Sequence, residues 1–310
     1  MFPEVTDAER FAESLFEPQR WTAAVDAIAA RHRLSGPFTQ SSNGSTVVYL
    51  SATACIKLHP PLPGFLASHR REVAALRSLV GALPIATPEL LAEGELEGWA
   101  YFVSTRIHGV PIDASWETLD EPTRCRLASE LGEAIAALHR VDPRDVAAVT
   151  EPWSTFRPEQ RARAIDRERA KGLAPERLDA LERWLDDADA IAEPDVAPRL
   201  LHTEIGPSHV LIHQDRVAGL IDFGDCGTGD PEYDLAPVGM FVTRGDRGAF
   251  RAFGSAYGLS PEAMNDPLRR RRLLRHALLH RYGTLAWYLD ELRPPTDSLD
   301  ELASHWFGVE

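Results

Sequence analysis

Two polar stretches interrupt apolar, strand-like runs and carry the residues best suited to chemistry. The first reads Leu201-His202-Thr203-Glu204-Ile205-Gly206-Pro207-Ser208-His209-Val210-Leu211-Ile212, and the second Gly219-Leu220-Ile221-Asp222-Phe223-Gly224-Asp225. Each sets carboxylates beside residues that belong in a core. A carboxylate leaves water at high cost unless a cation or several donors compensate it. Glu204, Asp222 and Asp225 approach a histidine-rich turn, and a bound metal ion would supply that compensation.

The elements that must position these groups follow from periodicity. An opening helical segment carries Phe11, Leu15 and Phe16, and continues past Pro18 into Trp21, Val25 and Ile28. Asn43-Gly44 precedes two strands, Ser45–Leu50 and Ala54–Leu58. Pro60, Pro61 and Pro63 break the chain before a helix over Phe65–Val80, which Pro84 and Pro88 close. Trp99–Ile107 reads as a strand with Gly109-Val110-Pro111 as its exit, and Tyr101 and Phe102 read as core. Helical spacing then dominates Glu121–Val141 and Pro175–Ile191, with a charged, exposed helix over Arg157–Lys171 between them. Short strands return at Arg199–His202, His209–His213 and Val217–Asp222, and Pro231 to Trp306 is helical again. A strand-rich first third thus leads into a helix-rich remainder. The natural boundary lies near residue 108, giving units over 1–108 and 109–310, and the cleft between them is a favoured ligand site.

Composition narrows the function. The 310 residues are 44% apolar and 26% charged, as in ordinary globular proteins. The net charge of −14 argues against nucleic acid as a ligand, because phosphate contacts need a basic surface. No apolar run is long enough to span a membrane, and the opening residues lack the basic and apolar regions of a signal peptide, so the expectation is a cytoplasmic protein. Cys55, Cys125 and Cys226 are odd in number and show no metal-binding spacing, which favours buried thiols over a disulfide framework or a zinc site. The basic residues are nearly all arginine; Lys57 and Lys171 are the lysines, and a lysine in such a chain suits a place where a compact point charge is needed.

The two polar stretches resemble the catalytic loop and metal-binding segment of the kinase superfamily, and in particular the aminoglycoside phosphotransferase family. A third block, Gly229-Asp230-Pro231-Glu232-Tyr233-Asp234-Leu235-Ala236, is similar to the family's following run. So is Leu131-Gly132-Glu133-Ala134-Ile135-Ala136-Ala137-Leu138-His139 to its preceding helix. The resemblance implies a bilobal α+β fold, with a small nucleotide-binding lobe and a larger helical lobe, using ATP and Mg2+. Asp222 would hold the metal. Glu204 stands where the family usually has aspartate and would accept or orient the hydroxyl proton. His209 stands where asparagine is usual and would be the second metal ligand, with Mn2+ also accommodated by the softer imidazole. Under the same resemblance His202 supports the loop, and Asp230 and Asp234 fix the following helix and loop.

The nucleotide half must supply a cation for the phosphates. Lys57, ending a strand, is similar to the family's lysine at that place. Phe65, Glu72, Leu76 and Leu79 share one stripe of the next helix, so Glu72 sits on an apolar face where an unpaired charge is costly. A Lys57–Glu72 ion pair resolves both. Ser42, Asn43 and Ser45 would donate to phosphate from the first loop, which reads equally well as a hairpin turn. Backbone groups of Ser104 to Arg106 would meet the adenine.

The acceptor would lie among the later helices. Asp290, Glu291, Asp297, Asp300, Glu301 and Glu310 lie near Trp287, Tyr288 and Trp306, which suits a cationic molecule; an exposed acidic helix is the alternative. The terminal run and Arg177–Leu185 are similar to hygromycin-type kinases, and His209 to macrolide-type ones. The reading is therefore transfer of the ATP γ-phosphoryl group to a hydroxyl of a small molecule, an antibiotic of aminoglycoside, macrolide or nucleoside type, by a monomer or homodimer. A metabolic small-molecule kinase and a nucleotide-binding pseudokinase are the alternatives. Arg269 to Arg272 read as a solvated helix face.

Overall fold

A computed structural model describes residues 2–191 and 196–310. The chain is α+β, with its largest sheet in the N-terminal third and helices dominating the rest. Helices α1 (Ala8–Ser14) and α2 (Pro18–His32) come first, with Asp7 capping α1 through the Arg10 N–H. Strands β1 (Thr39–Gln40), β2 (Val47–Leu50) and β3 (Ala54–His59) are followed by helix α3 (Pro63–Ser78). Strands β4 (Leu90–Leu96) and β5 (Trp99–Thr105) complete an antiparallel sheet in the order β1-β2-β3-β5-β4.

The sheet register places Lys57 of β3 between Val48 of β2 and Phe102 of β5. The outer face is covered by α1 and α2: Phe11, Trp21, Val25 and Ile28 pack with Tyr49 and Trp99 in one apolar cluster. Helix α3 serves two cores. Its Phe65 packs on that cluster, while Val73 and Leu76 join the larger core of the helical part.

After β6 (Val110–Pro111) the helical part begins with α4 (Glu121–Leu138), α5 (Arg144–Ala147), α6 (Trp153–Ala170) and α7 (Pro175–Asp189). Strands β7 (Arg199–Leu201), β8 (Val210–His213), β9 (Arg216–Leu220) and β10 (Gly227–Gly229) interrupt the helices. Helices α8 (Glu232–Pro237), α9 (Arg247–Tyr257), α10 (Pro261–Asn265), α11 (Pro267–Leu278), α12 (Leu285–Glu291) and α13 (Leu299–Phe307) close the chain. Leu127, Leu131 and Ile135 of α4 pack with Phe253 of α9 and Leu273 of α11. Gly132 permits the close approach of α4 and α9, since a side chain there would strike the Phe253 carbonyl. The β8–β9 hairpin turns at Gln214-Asp215, both with positive φ (51° and 55°), the twist that a two-residue hairpin turn requires.

Two expectations need correction, and one strand went unread. Strand β4 had no sequence signal strong enough to read, because Glu93, Gly94 and Glu95 dilute its apolar content at the sheet edge. Helix α6 is not simply an exposed charged rod: Glu168 is buried and accepts from the Leu285 and Ala286 N–H groups at the start of α12. Nor is the four-arginine run a solvated face. Arg272 is buried and grips both oxygens of buried Glu232 at 2.9 and 3.1 Å, with Arg269 adding a contact at 3.3 Å.

Candidate active site

The β8–β9 hairpin assembles the site. Val210 lies opposite Leu220, so His209, entering β8, and Asp222, leaving β9, emerge at the same end. The Ile221 N–H donates to the His209 carbonyl at 3.0 Å and locks that end. Glu204 lies in the turn between β7 and β8. Across the cleft, β3 delivers Lys57 and α3 delivers Glu72.

Lys57 Nζ donates to Glu72 Oε2 at 2.7 Å and to Asp222 Oδ1 at 2.8 Å. The expected ion pair is present, and the ammonium also spans the cleft to the carboxylate after β9. Burial opposes the Lys57 charge, but Asp222 and Glu72 outweigh it and hold the ammonium protonated well above its ordinary range. Burial likewise pushes Glu72 up to about 7 even with Lys57 beside it. For Asp222 burial acts upward, and Lys57 followed by His209 outweighs it, so this carboxyl is held well below the usual range.

The hydrogen bonds fix the His202 tautomer. The Glu204 N–H donates to His202 Nδ1 at 3.2 Å, so His202 Nε2 carries the proton and donates to the Ile221 carbonyl at 3.0 Å. Burial drives this imidazole down to about 4, so it stays neutral and supports the loop. His209 Nδ1 donates to the Glu204 carbonyl at 2.7 Å, and Nε2 faces Asp222 Oδ2 at 3.8 Å. That separation exceeds a hydrogen bond. In the neutral form of His209, Nε2 and the carboxylate oxygen would fit two corners of a divalent cation's shell after a small approach.

The Glu204 turn is held on every side. Thr203 has φ +67°, and Asp234, fully buried, accepts from the His202 and Thr203 N–H groups at 2.8 and 2.7 Å. His280 Nε2 lies 2.6 Å from the Thr203 carbonyl and donates to it. Replacing Asp234 with alanine would strand the buried His202 N–H, at a cost of about 1–3 kcal/mol, and the half-buried Thr203 N–H beside it. Asp234→Ala is therefore expected to lower the urea midpoint and to reduce turnover more than it weakens nucleotide binding, measured by titration calorimetry beside initial rates.

Burial pushes the Glu204 carboxyl up to about 7, with His209 opposing the rise. The sign follows directly. A folded-state value above the unfolded one favours the protonated form, so this contribution to stability is present at low pH and lost as pH climbs through about 7. A base needs the ionised form. With Glu204 as the base that the family resemblance implies, the rate would rise with pH through about 7, and Glu204→Gln would melt higher than the parent at alkaline pH and transfer nothing. A pH profile of kcat/KM with parallel thermal melts at each pH checks both.

Asp225 stands apart from the metal-facing pair. Its Oδ1 accepts from Arg71 of α3 at 3.1 Å and from Arg281 at 2.9 Å, and its Oδ2 accepts from the Tyr282 hydroxyl at 2.9 Å. Arg71 also donates to the Gly224 carbonyl at 2.9 Å, joined by Ser68 at 3.0 Å. Asp230, Glu232 and His276 form a second compact polar group, but Arg272 and Arg269 already neutralise Glu232, so it reads as a structural ion network.

Two sets of candidates lie elsewhere. Ser42, Asn43 and Ser45 sit exposed in the β1–β2 loop, where Gly44 has φ +117°, and among the described residues no hydrogen bond ties their side chains to the cluster. Near Ser104 to Arg106, where the backbone is expected to meet the adenine, two of the N–H donors are bonded within the protein. Ser104 is buried in the central strand opposite Cys55 and Leu90, and the Thr105 and Arg106 N–H groups donate to Glu89 and Thr53. The Arg106 guanidinium donates to the Ser51 carbonyl at 2.7 Å.

A cavity of about 910 Å3 opens beside Glu204 and His209. Trp287, Tyr288, Trp306 and Glu291 line it, as the sequence suggested for this region. The other terminal carboxylates do not gather there. Asp297 pairs with Arg177 at 2.6 Å, Asp300 with Arg271 at 3.4 Å, and Glu301 bonds Thr296. Asp113, Glu117, Arg244, His280 and Tyr282 line the cavity without having been singled out, and Lys171 does so with only its rarity as a signal.

Residues 38–274 match the sequence profile of the phosphotransferase enzyme family. The chain belongs to this family. Among the family's characterised members it is similar to the viomycin phosphotransferase of Streptomyces vinaceus, 29% identical over 177 residues. That match covers 53% of this chain and 59% of the relative, less than two thirds of its length. Wild-type aminoglycoside 2'-phosphotransferase-IIIa, solved as a GDP complex, superposes with a TM-score of 0.70 at 17% identity, covering 92% of this chain and 96% of that one. The macrolide 2'-phosphotransferase of Brachybacterium faecium, solved as apoenzyme, gives 0.59 at 22% identity, covering 96% and 99%. These likenesses place the fold among the kinase-like phosphotransferases, as the family's sequence blocks imply.

Proposed function

We propose that the protein is an ATP- and Mg2+-dependent O-phosphotransferase acting on a hydroxyl of a small molecule. One observation carries this reading: His209 faces Asp222, which bonds Lys57, and lines the cavity together with Glu204. The nucleotide would lie on residues 1–108 and the acceptor on 109–310. Lys57, steadied by Glu72, would hold the phosphates. Asp222 and His209 would hold the divalent ion, which neutralises phosphate charge when bound. Glu204 would orient the acceptor hydroxyl and take its proton as the oxygen bonds to the γ-phosphorus and the bond to the β-phosphate bridging oxygen breaks. Positioning and charge neutralisation supply most of the catalysis in such transfers.

The named relatives support an antibiotic acceptor, and with it a cytoplasmic role in resistance. No helix among the described residues is long and apolar enough to cross a membrane. The test is incubation with MgATP against aminoglycoside, macrolide, peptide and nucleoside antibiotics and against metabolites, with mass spectrometry for one added phosphoryl group. Modification of an antibiotic, lost in Glu204→Gln, supports the reading. Preference for a metabolite would replace the acceptor class, and nucleotide binding without transfer to any compound would make the protein a pseudokinase.

A further inference from the structure

One stretch supplies much of the cavity wall. His280, Tyr282, Thr284, Trp287 and Tyr288 all line the cavity, and they lie in α12 and in the connection that leads to it from α11. The same stretch is fastened to the polar blocks. His280 donates to the Thr203 carbonyl at 2.6 Å, and the Tyr282 hydroxyl donates to Asp225 at 2.9 Å.

Two adjacent residues of α6 hold this stretch from behind, and neither lines the cavity. Arg167 donates to the carbonyl of Leu278, the last residue of α11, at 3.0 Å, and to the Arg281 carbonyl at 3.3 Å. Glu168 accepts from the N–H groups of Leu285 and Ala286, the first two residues of α12, at 2.5 and 3.2 Å. A helix leaves carbonyls unpaired at its C-terminal end and N–H groups unpaired at its N-terminal end. The cation and the anion therefore each meet the end that suits their charge.

Capping alone does not account for Glu168. Helix α12 has a local cap, since the Thr284 hydroxyl accepts from the Trp287 N–H at 3.4 Å. Helices α1, α4, α9 and α11 are served in the same local way by the aspartate just ahead of each. Glu168 reaches Leu285 across 117 residues of sequence and is 1% exposed. Burial pushes its carboxyl up, with the Leu285 and Ala286 N–H groups opposing the rise. A carboxylate buried at that cost adds what a local cap cannot: it fixes where α12 lies against α6. Trp287, 47% exposed on α12, is placed accordingly.

We infer that Arg167 and Glu168 are positioning residues for the phosphoryl acceptor: from behind the cavity wall they set residues 278–288 so that Tyr282 and Trp287 hold the acceptor before Glu204. This inference rests on the phosphotransfer reading.

Full-length Glu168→Ala, Glu168→Gln and Arg167→Lys test it against the parent. In Glu168→Ala, amide hydrogen exchange read by mass spectrometry should quicken about tenfold over residues 284–292 and stay unchanged over α3. Viomycin, kanamycin and erythromycin serve as acceptor probes, with MgATP as donor. For a probe that is phosphorylated, KM should rise about tenfold while the KM for ATP stays unmoved. Glu168→Gln keeps one accepting oxygen and Arg167→Lys keeps the charge, so both should fall between Glu168→Ala and the parent; they carry the test if the alanine variant fails to fold. Asp7→Ala removes a cap from α1 on the outer face of the N-terminal sheet and should change neither readout. Unchanged exchange over 284–292, or an equal rise in both KM values, overturns the inference and leaves phosphotransfer standing. A parent that phosphorylates none of the probes instead faults the antibiotic-acceptor reading, and the exchange over 284–292 then decides the inference alone.

Discussion

Asp222→Asn is expected to lower kcat by on the order of 10^3-fold, corresponding to about 4 kcal/mol of lost transition-state stabilisation. The substitution preserves shape and removes the charge that faces both Lys57 at 2.8 Å and His209 at 3.8 Å. An amide oxygen is a poorer partner for a divalent ion, and its NH2 group would meet the ammonium unfavourably if turned the other way. Because the Asp222 carboxyl is held well below its usual range, its contribution to stability is complete above the ordinary carboxylate pKa and fades as pH falls. Some stability should therefore go with the charge at neutral pH. The thermal shift on adding MgATP should vanish in the variant, and steady-state rates report kcat. Turnover that survives within a few-fold of the parent would remove Asp222 from the metal role.

Lys57→Met should act on folding as well as on nucleotide. The Lys57 and Glu72 side chains retain only 8% and 5% of their exposure, so removing the ammonium leaves a buried carboxylate without its partner and facing another. Breaking such a pair costs about 3–5 kcal/mol. Glu72→Gln in the Lys57→Met background should recover a large part of that loss, because the orphaned charge is gone, yet ATP use should stay abolished. Urea unfolding of the parent, both single variants and the double variant gives the cycle. Recovery of activity along with stability would mean that Lys57 serves the fold alone.

The Lys57–Glu72 pair was legible because both residues break a local rule: a lysine within an arginine-using chain, and a charge on an apolar helical stripe. The Glu204, His209 and Asp222 grouping was legible through its sequence blocks, and the hairpin register explains why residues so spaced converge. What stayed hidden depends on long-range partners. Nothing in the local sequence separates Arg71 and Arg281, which meet at Asp225, from the many other arginines. The terminal carboxylates looked like a binding surface until Arg177 and Arg271 were seen to occupy two of them. Glu168 resembles any glutamate of a charged helix, and only the packing of α12 over α6 shows it as a helix cap. Strand β4, which makes the strand bearing Ser104 an interior one, went unread.

Asp225 gives the molecule a shared fastening. One of its oxygens is tied to the helix that bears Glu72, and the other to a tyrosine that would touch an incoming acceptor. Were an acceptor that displaces Tyr282 to change the hold of Asp225 on Arg71, and through it the affinity for nucleotide, the nucleotide would change the acceptor's affinity by the same factor.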